Sequence, residues 1–212
     1  MVVATPGLLV RAVHLLKQRS ALTSVLVEEG DLTRLLPRLR VGELDLFVGR
    51  LEPGYASPDL ETEALYREPM AIVVRPDHAL ASVARPQWKQ LADLPWVVPP
   101  PWASSRIKLE QMFYKHRLTP PADTVETSSF LATLAFVRER PALGFLALGV
   151  ARHFEREGLL KVLAMKIPIE LPAVGIITLR ARVRTPAASL LVECLRQVVA
   201  GDALAAAPKM PE

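Results

Sequence analysis

VLVEEGDLTRLLPRLRVGELDLFVGR, residues 25–50, is the stretch that decides the fold class. It begins with a β-branched run at residues 25–27, which is typical of a strand. Asp31 can cap the helix that follows, and Gly42 can end it, because glycine accepts the left-handed conformation of a C-terminal cap. Four leucines recur at helical spacing in this segment: Leu32, Leu35, Leu36 and Leu39. A nearly continuous apolar strand at residues 44–48 completes a βαβ unit, which predicts an α/β protein with a covered parallel sheet.

Composition limits the class of protein further. The chain has 212 residues, half of them apolar and 23% charged, which is typical of a globular protein with a sizeable core. No apolar run approaches the ~20 residues that span a bilayer, and the first residues lack the pattern of a secretory signal. Cys194 is the single cysteine, so no internal disulfide can form. These features predict a protein of the cytoplasm with no membrane partner.

The net charge of +4 raises the question of nucleic-acid binding. Arginines and lysines are spread along the chain, and no basic run reaches five residues. Only Arg180, Arg182 and Arg184 cluster, as a short stripe at the end of a strand. We therefore expect solvated surface here, with direct nucleic-acid contact as the less favoured alternative.

The rest of the chain alternates about nine strands with seven helices, from a first strand at residues 2–4 to a last helix at residues 186–199. Two segments, near residues 70–75 and 167–173, separate a middle portion from the two ends. This order predicts a single domain of two lobes. Lobe I is formed by about residues 1–70 plus 173–200, and lobe II by about residues 75–167. Residues 201–212 are small and polar, which predicts a disordered tail.

Hydroxyl residues stand at three strand-to-helix junctions. The first is Thr5, followed by Pro6 and Gly7. The second is Ser104 and Ser105, after a rigid loop that holds Pro100 and Trp102, and the third is Thr127 and Ser128. Such residues are ordinary helix caps, but at converging helix starts they also bind carboxylates or sugar hydroxyls. Both interpretations stay open.

Arg50 directly follows the predicted buried strand at residues 45–49 and is a candidate partner for an anion, although a surface arginine is the simpler interpretation. Catalysis has little support. The four histidines are scattered, no HExxH, GxSxG, GxGxxG or phosphate-loop motif occurs, and Cys194 lies among the leucines of an amphipathic helix. The sequence predicts a binding protein with no catalytic residues, no metal and no cofactor.

Several stretches together resemble one family. They are LLPRLRVGELDLFVGR, LYREPMAIVVRPDHALA and QLADLPWVV, followed by VETSSFLATLAFVRERPALGFLALGVARHFEREGLL. In order and spacing they are similar to the effector-binding domain of LysR-type transcriptional regulators, over about residues 2–200. GELDLFVGRL and WVVPPP are most similar to the branch that contains the galactose-binding-protein regulator and the protocatechuate-type regulators.

The resemblance implies two Rossmann-like lobes joined by two crossover segments, as in type 2 periplasmic binding proteins. It also implies a small-molecule effector in the interlobe cleft, such as an organic, aromatic or sugar-derived acid, and a homodimer, with a tetramer as an alternative in the full-length protein. Family members contact effector at the positions of Thr5, Pro6 and Gly7, at residues 100–105, and at Thr127 and Ser128. These positions coincide with the three hydroxyl junctions.

The sequence departs from the family pattern at two places. Histidine–proline is common where Ala79 stands, and a glycine-rich turn is common at residues 138–142, where the difference affects the expected floor of the cleft. The family's winged helix, which binds DNA, has no counterpart in this sequence, so the resemblance places DNA binding in a domain that this chain does not include. The alternative is a solute-binding protein of a transport system.

Overall fold

The computed structural model describes the backbone of residues 5–206 and the side chains of residues 7–202. The chain divides into two compact units. One unit is the continuous segment 68–171, and the described part of the other consists of residues 5–67 and 172–206.

Eight strands and seven α-helices are present in the described residues. The strands are β1 (Phe47–Arg50), β2 (Leu60–Tyr66), β3 (Met70–Val74), β4 (Trp96–Val98), β5 (Thr124–Glu126), β6 (Leu143–Ala147), β7 (Lys161–Val162) and β8 (Val174–Leu179). The helices are α1 (Val10–Arg19), α2 (Leu32–Val41), α3 (Trp88–Ala92), α4 (Ser104–Lys115), α5 (Phe130–Glu139), α6 (Leu148–Arg156) and α7 (Pro186–Ala206). A π-helical turn, Thr5–Leu9, leads into α1, and short 3-10 turns occur at Pro53–Tyr55 and Ala79–Ser82.

The unit of residues 68–171 is built on a five-stranded sheet with the order β5-β4-β6-β3-β7. β4 runs parallel to β5 and to β6, whereas β3 is antiparallel to β6 and to β7. Successive side chains of β3 enter different cores, with Ile72 in a cluster that includes Phe113 and Phe145, and Val73 in a cluster that includes Val137. This alternation follows from the two-residue period of a strand. The sheet is therefore covered on both faces.

The other unit is built on a three-stranded sheet with the order β1-β8-β2. Both ladders are antiparallel, so the prediction of a parallel sheet around residues 44–48 is wrong for this strand. β8 lies in the middle and is buried, while β1 and β2 are partly exposed. Helix α2 covers one face of this sheet. Its residues Leu32, Leu36 and Leu39 form one apolar cluster with Leu60 of β2 and Ile177 of β8.

Helix α2 has the ends that the sequence predicts. The Asp31 carboxylate accepts a hydrogen bond from the Arg34 N–H at 3.1 Å. Gly42 follows the last turn with φ +82°, and a Cβ there would lie 2.6 Å from Nη1 of Arg182. Glycine is thus favoured at this cap by the left-handed backbone conformation.

Residues 25–27 differ from the sequence prediction. They are extended but belong to no ladder among residues 5–206, and the Leu26 side chain is 76% exposed. The predicted strand at residues 2–4 lies outside the described residues. A β-branched run fits a pleated, half-buried surface, but it does not specify a partner strand. The segment therefore presents apolar side chains to solvent.

The last helix also differs from the prediction. We expected it to end at residue 199 and a disordered tail to begin at residue 201, but α7 continues to Ala206. Residues 207–212 lie outside the described part of the chain. The Arg11 guanidinium of α1 forms an ion pair with the Asp202 carboxylate, and Arg19 donates to Gln197. The extra turns of α7 are therefore in contact with α1, which composition alone does not reveal.

Candidate functional site

Two parallel strands of the 68–171 unit end side by side and place predicted site residues together. Val98 at the end of β4 is paired with Glu126 at the end of β5, and the Thr127 N–H donates to the Val98 carbonyl at 3.0 Å. The chain then enters two neighbouring loops, each followed by a helix. Six of the ten predicted site residues lie on these loops or at the helix starts: Pro100, Trp102, Ser104, Ser105, Thr127 and Ser128. We call this region the β4–β5 edge.

The first loop of the β4–β5 edge is a tight turn with an exposed aromatic ring. The Ala103 N–H donates to the Pro100 carbonyl at 3.0 Å, and the Trp102 side chain is 69% exposed. The prediction that Ser104 or Ser105 caps α4 is wrong. Both residues lie inside the first turn, the cap position is Ala103, and that cap makes no side-chain hydrogen bond. Ser105 is buried.

The second loop confirms the prediction of hydroxyl caps at this junction. The Thr127 hydroxyl oxygen accepts from the Ser129 N–H at 3.0 Å, and the Ser129 hydroxyl oxygen accepts from the Ala132 N–H at 3.2 Å. Ser129 is therefore the cap of α5, one position beyond Ser128, which is exposed. Because these two bonds use only acceptor lone pairs of the hydroxyls, their O–H groups can still donate to a ligand.

Arg106 is part of the β4–β5 edge and was missed by the sequence analysis. Its side chain is only 11% exposed, with Nε 2.6 Å from Oε1 of Glu110 and Nη1 3.3 Å from Oε1 of Glu126. Nη1 also donates to the Pro99 carbonyl at 3.4 Å. One guanidinium thus joins α4, the end of β5 and the start of the β4 loop, and it fixes the shape of the edge. The Arg–Glu spacing of four residues in a helix was a signal that could have identified it.

A third parallel strand, β6, ends at the same edge of the sheet, but its helix start is already occupied. The Gly149 N–H in the first turn of α6 donates to the Glu68 carboxylate at 2.7 Å. A carboxylate at this position is favoured by the positive end of the helix dipole. The start of α5, by contrast, is capped by the Ser129 hydroxyl and not by a carboxylate. We therefore expect an anion at this edge to bind near the end of β5.

The remaining predicted site residues, Thr5, Pro6, Gly7 and Arg50, belong to the other unit. Thr5 is already part of the helical backbone, so it is not the cap that precedes the helix. The side chains of Thr5 and Pro6 lie outside the described part of the chain. Gly7 is exposed. Arg50 ends β1, and its Nη1 donates to the Pro172 carbonyl at 3.0 Å, which ties β1 to the segment that leads into β8. Its role toward a ligand stays a prediction.

His78 is a buried titratable group of the 68–171 unit. Its Nδ1 accepts from the Leu80 N–H at 3.1 Å and so caps the 3-10 turn. Burial lowers the pKa of His78, and the positive charge of Arg75 acts in the same direction, while a hydrogen bond with the Pro141 backbone opposes this shift. The neutral imidazole is therefore the form that the fold favours.

The described residues hold no group of three or more histidine, cysteine or acidic side chains arranged to bind a metal ion. Within residues 5–206, no helix combines the length and the apolar character that a bilayer span requires.

Comparison with known proteins gives the family. Residues 1–200 match the model of the LysR substrate binding domain, so the chain belongs to this family. It is 26% identical over 174 residues to the HTH-type transcriptional regulator GbpR of Azospirillum brasilense, covering 82% of this chain and 50% of that protein. It is 28% identical over 183 residues to the regulator GalR of Pseudomonas putida, covering 84% of this chain and 45% of that protein.

Among solved structures, the effector-binding domain of QuiR in complex with shikimate aligns with a TM-score of 0.73 at 15% identity, covering 94% of each chain. This likeness shows the type 2 periplasmic-binding-protein-like fold that the sequence resemblance predicts. The chain spans about half the length of the two regulators that it matches.

Proposed function

We propose that this chain is the effector-sensing and dimerising part of a LysR-type, DNA-binding transcriptional regulator of the cytoplasm. DNA binding would reside in another part of the full-length protein, since the chain matches only about half of each relative. The alternative, a solute-binding protein of a transport system, is not favoured, because the matched family and the two relatives are regulators.

The observation that carries the proposal is the β4–β5 edge. It combines two neighbouring helix starts, two hydroxyls that still have a proton to donate and an exposed tryptophan. Helix N-termini and hydroxyl donors suit a carboxylate or sugar hydroxyls, and an aromatic ring suits the apolar face of the same ligand. The proposed effector is thus a small organic, aromatic or sugar-derived acid. Effector contacts by Thr5, Pro6, Gly7 and Arg50 of the other unit are part of the same proposal.

The experiment is a thermal-shift titration with shikimate and related hydroxylated or aromatic acids, because a ligand that binds only the folded state raises the melting temperature by mass action. Thr127→Val and Trp102→Ala should each reduce the shift given by an active acid. Ser82→Ala, which removes an exposed hydroxyl from a 3-10 turn of the same unit, is the matched control and should leave the shift unchanged. Equal shifts in all three variants would contradict the proposed site.

Homodimer formation is supported by exposed apolar side chains on both units. In the unit of residues 5–67 and 172–206 these include Val10 of α1 and the extended Leu26, and in the other unit they include Leu131 and Phe136 of α5. Large apolar side chains clustered on a surface mark protein–protein contacts. We propose that a second copy of this chain covers them, with roughly 1,600 Å² or more buried in total.

Sedimentation at micromolar concentration tests the dimer. Leu131→Glu and Leu26→Glu should each shift the protein towards the monomer, because a charge would be buried in the contact. Val183→Glu changes an equally exposed apolar residue in the turn between β8 and α7 and is the control that should stay dimeric. A wild-type monomer would contradict this part of the proposal and would leave effector binding to be judged on its own titration.

A further inference from the structure

The 68–171 unit contains a second concave region at the same edge of the sheet, beside β3 and β7 and not beside β4 and β5. It arises because β7 leaves β3 early: the ladder pairs Val73 with Val162 and Val74 with Lys161, and its last bond runs from the Leu163 N–H to the Ile72 carbonyl at 2.9 Å. Beyond that bond, residues 164–168 diverge from the beginning of β3. The gap is a cavity of about 450 Å³ that is also walled by α6. We call it the β3–β7 pocket.

The lining of the β3–β7 pocket is apolar except for two cations. Met70, Leu148 and Met165 contribute to its walls, and the charged side chains that line it are Arg152 and Lys166, with no acidic residue among the lining residues. The volume lies within the ~300–1,000 Å³ that is usual for small-molecule sites, which are mostly apolar with few polar groups. Two methionines allow such a wall to adapt to the shape of a ligand.

The two cations differ in what they already bind. Arg152 forms an ion pair with Glu155 at 2.6 Å, and Lys161, just outside the pocket, is 3.2 Å from the same glutamate. Lys166 has no ion-pair partner among the described side chains and stands at the rim. An incoming anion therefore meets an available ammonium group and need not displace an existing carboxylate.

We propose that the β3–β7 pocket is a second ligand site, which takes a monocarboxylate with a flexible apolar body. The apolar part lies against Leu148, Met70 and Met165, and the carboxylate pairs with Lys166 at the rim. The pocket is also close in sequence to both points where the chain passes between units, because it is lined by Pro69 and by Pro168, near the limits of the 68–171 segment. A ligand here holds both linking segments of this unit at once.

The test is a titration of the ¹⁵N-labelled chain with octanoate, with 1-octanol as the neutral analogue. Octanoate should give saturable shifts at residues 69–71, 148–152 and 162–168. Lys166→Met should weaken octanoate about two- to fivefold and leave octanol unchanged, as expected for one exposed ion pair. Lys161→Met removes a neighbouring lysine that does not line the pocket and should leave both affinities unchanged.

A second variant tests whether the ligand occupies the cavity of the β3–β7 pocket. Ala164 is exposed and lines the pocket, so Ala164→Trp should abolish the shifts without burying a new group in the core. Equal effects of Lys166→Met and Lys161→Met, absence of saturable shifts, or shifts at residues 99–105 and 127–129 would overturn the proposal. Because effectors of the proposed function are expected to perturb that last set of residues, failure of either proposal is recognised separately.

Discussion

The five-stranded sheet of residues 68–171 and the three-stranded sheet of the other unit both have partly exposed outer strands, but they differ in how many strands are buried. In the larger sheet β3, β4 and β6 are buried along their whole length. In the smaller sheet only the middle strand, β8, is buried to a similar extent. The same chain thus contains one sheet with three buried strands and one sheet with a single buried strand.

The difference teaches where each unit obtains its stability. Apolar burial stabilises by ~25 cal/mol per Å², so the doubly covered sheet has the larger reserve. The smaller sheet is supplemented by surface ion pairs, such as the paired contacts of Arg196 with Glu63, both at 2.7 Å. Exposed pairs of this kind contribute only about 0–1 kcal/mol each. The smaller unit should therefore open more readily.

The largest effect is expected in the doubly covered sheet. Phe113 is fully buried and meets Trp88 and Trp96 edge to face, with ring centroids 5.2 Å and 5.6 Å apart. Phe113→Ala should cost about 3–5 kcal/mol of unfolding free energy, because it removes apolar area and leaves a cavity. Urea denaturation measures the loss, and hydrogen exchange should locate it in residues 68–171. Tyr114→Ala, at a surface position of α4, is the control; comparable losses in both variants would refute the two-core description.

Glycine substitutions compare the middle strands directly. A Cβ at Gly175 of β8 would lie 2.2 Å from the Glu63 carbonyl oxygen, a backbone atom that cannot move without the strand. At Gly144 of β6 the nearest atoms are side-chain methyls of Val73 and Val137, at 2.9 and 3.0 Å. Gly175→Ala should therefore cost about 1–3 kcal/mol, and Gly144→Ala less. Chemical denaturation of both variants checks the order, and the reverse order would show that β8 has room to adjust.

Helix caps provide a matched pair across the two units. Asp31→Ala and Ser129→Ala should each cost about 1 kcal/mol at pH 7. The hydrogen bond from Thr33 is the main cause that lowers the pKa of Asp31, with the Arg34 backbone contributing. A carboxylate with a lowered pKa stabilises above its ordinary pKa, and this contribution disappears as the pH falls through the lowered value. The stability cost of Asp31→Ala should thus shrink in acid, while that of Ser129→Ala should not. Thermal melts of both variants from pH 7 to acid measure these costs. If the two costs change with pH in the same way, the interpretation is wrong.

The smallest effect concerns acid sensitivity of the 68–171 unit. Because burial lowers the pKa of His78, the unfolded chain takes up a proton at a higher pH than the folded chain. Stability from this source is complete above the ordinary histidine pKa and is lost as the pH falls below it towards the folded value. His78→Asn keeps an acceptor for the Leu80 N–H but does not titrate, so its unfolding free energy should decline less between pH 7 and 5. Identical declines in both proteins would exclude His78 as a source.

Many of the strands could be predicted from local patterns in the amino-acid sequence. The strands at Met70–Val74, Trp96–Val98, Thr124–Glu126 and Val174–Leu179 are short apolar or β-branched runs bounded by turn residues, a local pattern that predicts a strand without tertiary information. The pairing of β1 with its neighbouring strand could not be predicted from the sequence. Its apolar run is the same in a parallel or an antiparallel ladder, and its partner, β8, lies more than a hundred residues later in the chain.

The candidate site was predictable to a similar degree. Turn prolines and hydroxyls identified the two loops of the β4–β5 edge, since these residues mark helix starts in any sequence. Which hydroxyl caps a helix was not predictable, because Ser128 and Ser129 are equivalent in pattern and the backbone conformation at Ser129 decides. Arg106 escaped because its burial depends on Glu126 and Pro99, which other elements place beside it.

The central position of β8 has a consequence for the order of events during synthesis. Residues 68–171 form a continuous segment, so every contact of that sheet is available once this segment has left the ribosome. β1 and β2 emerge earlier but pair with β8 and not with each other, so their hydrogen bonds wait for residues 174–179. Closing such long loops is slow, because chain entropy is lost before any contact is gained. The segment that is translated first, before residue 68, is therefore among the last to complete its fold.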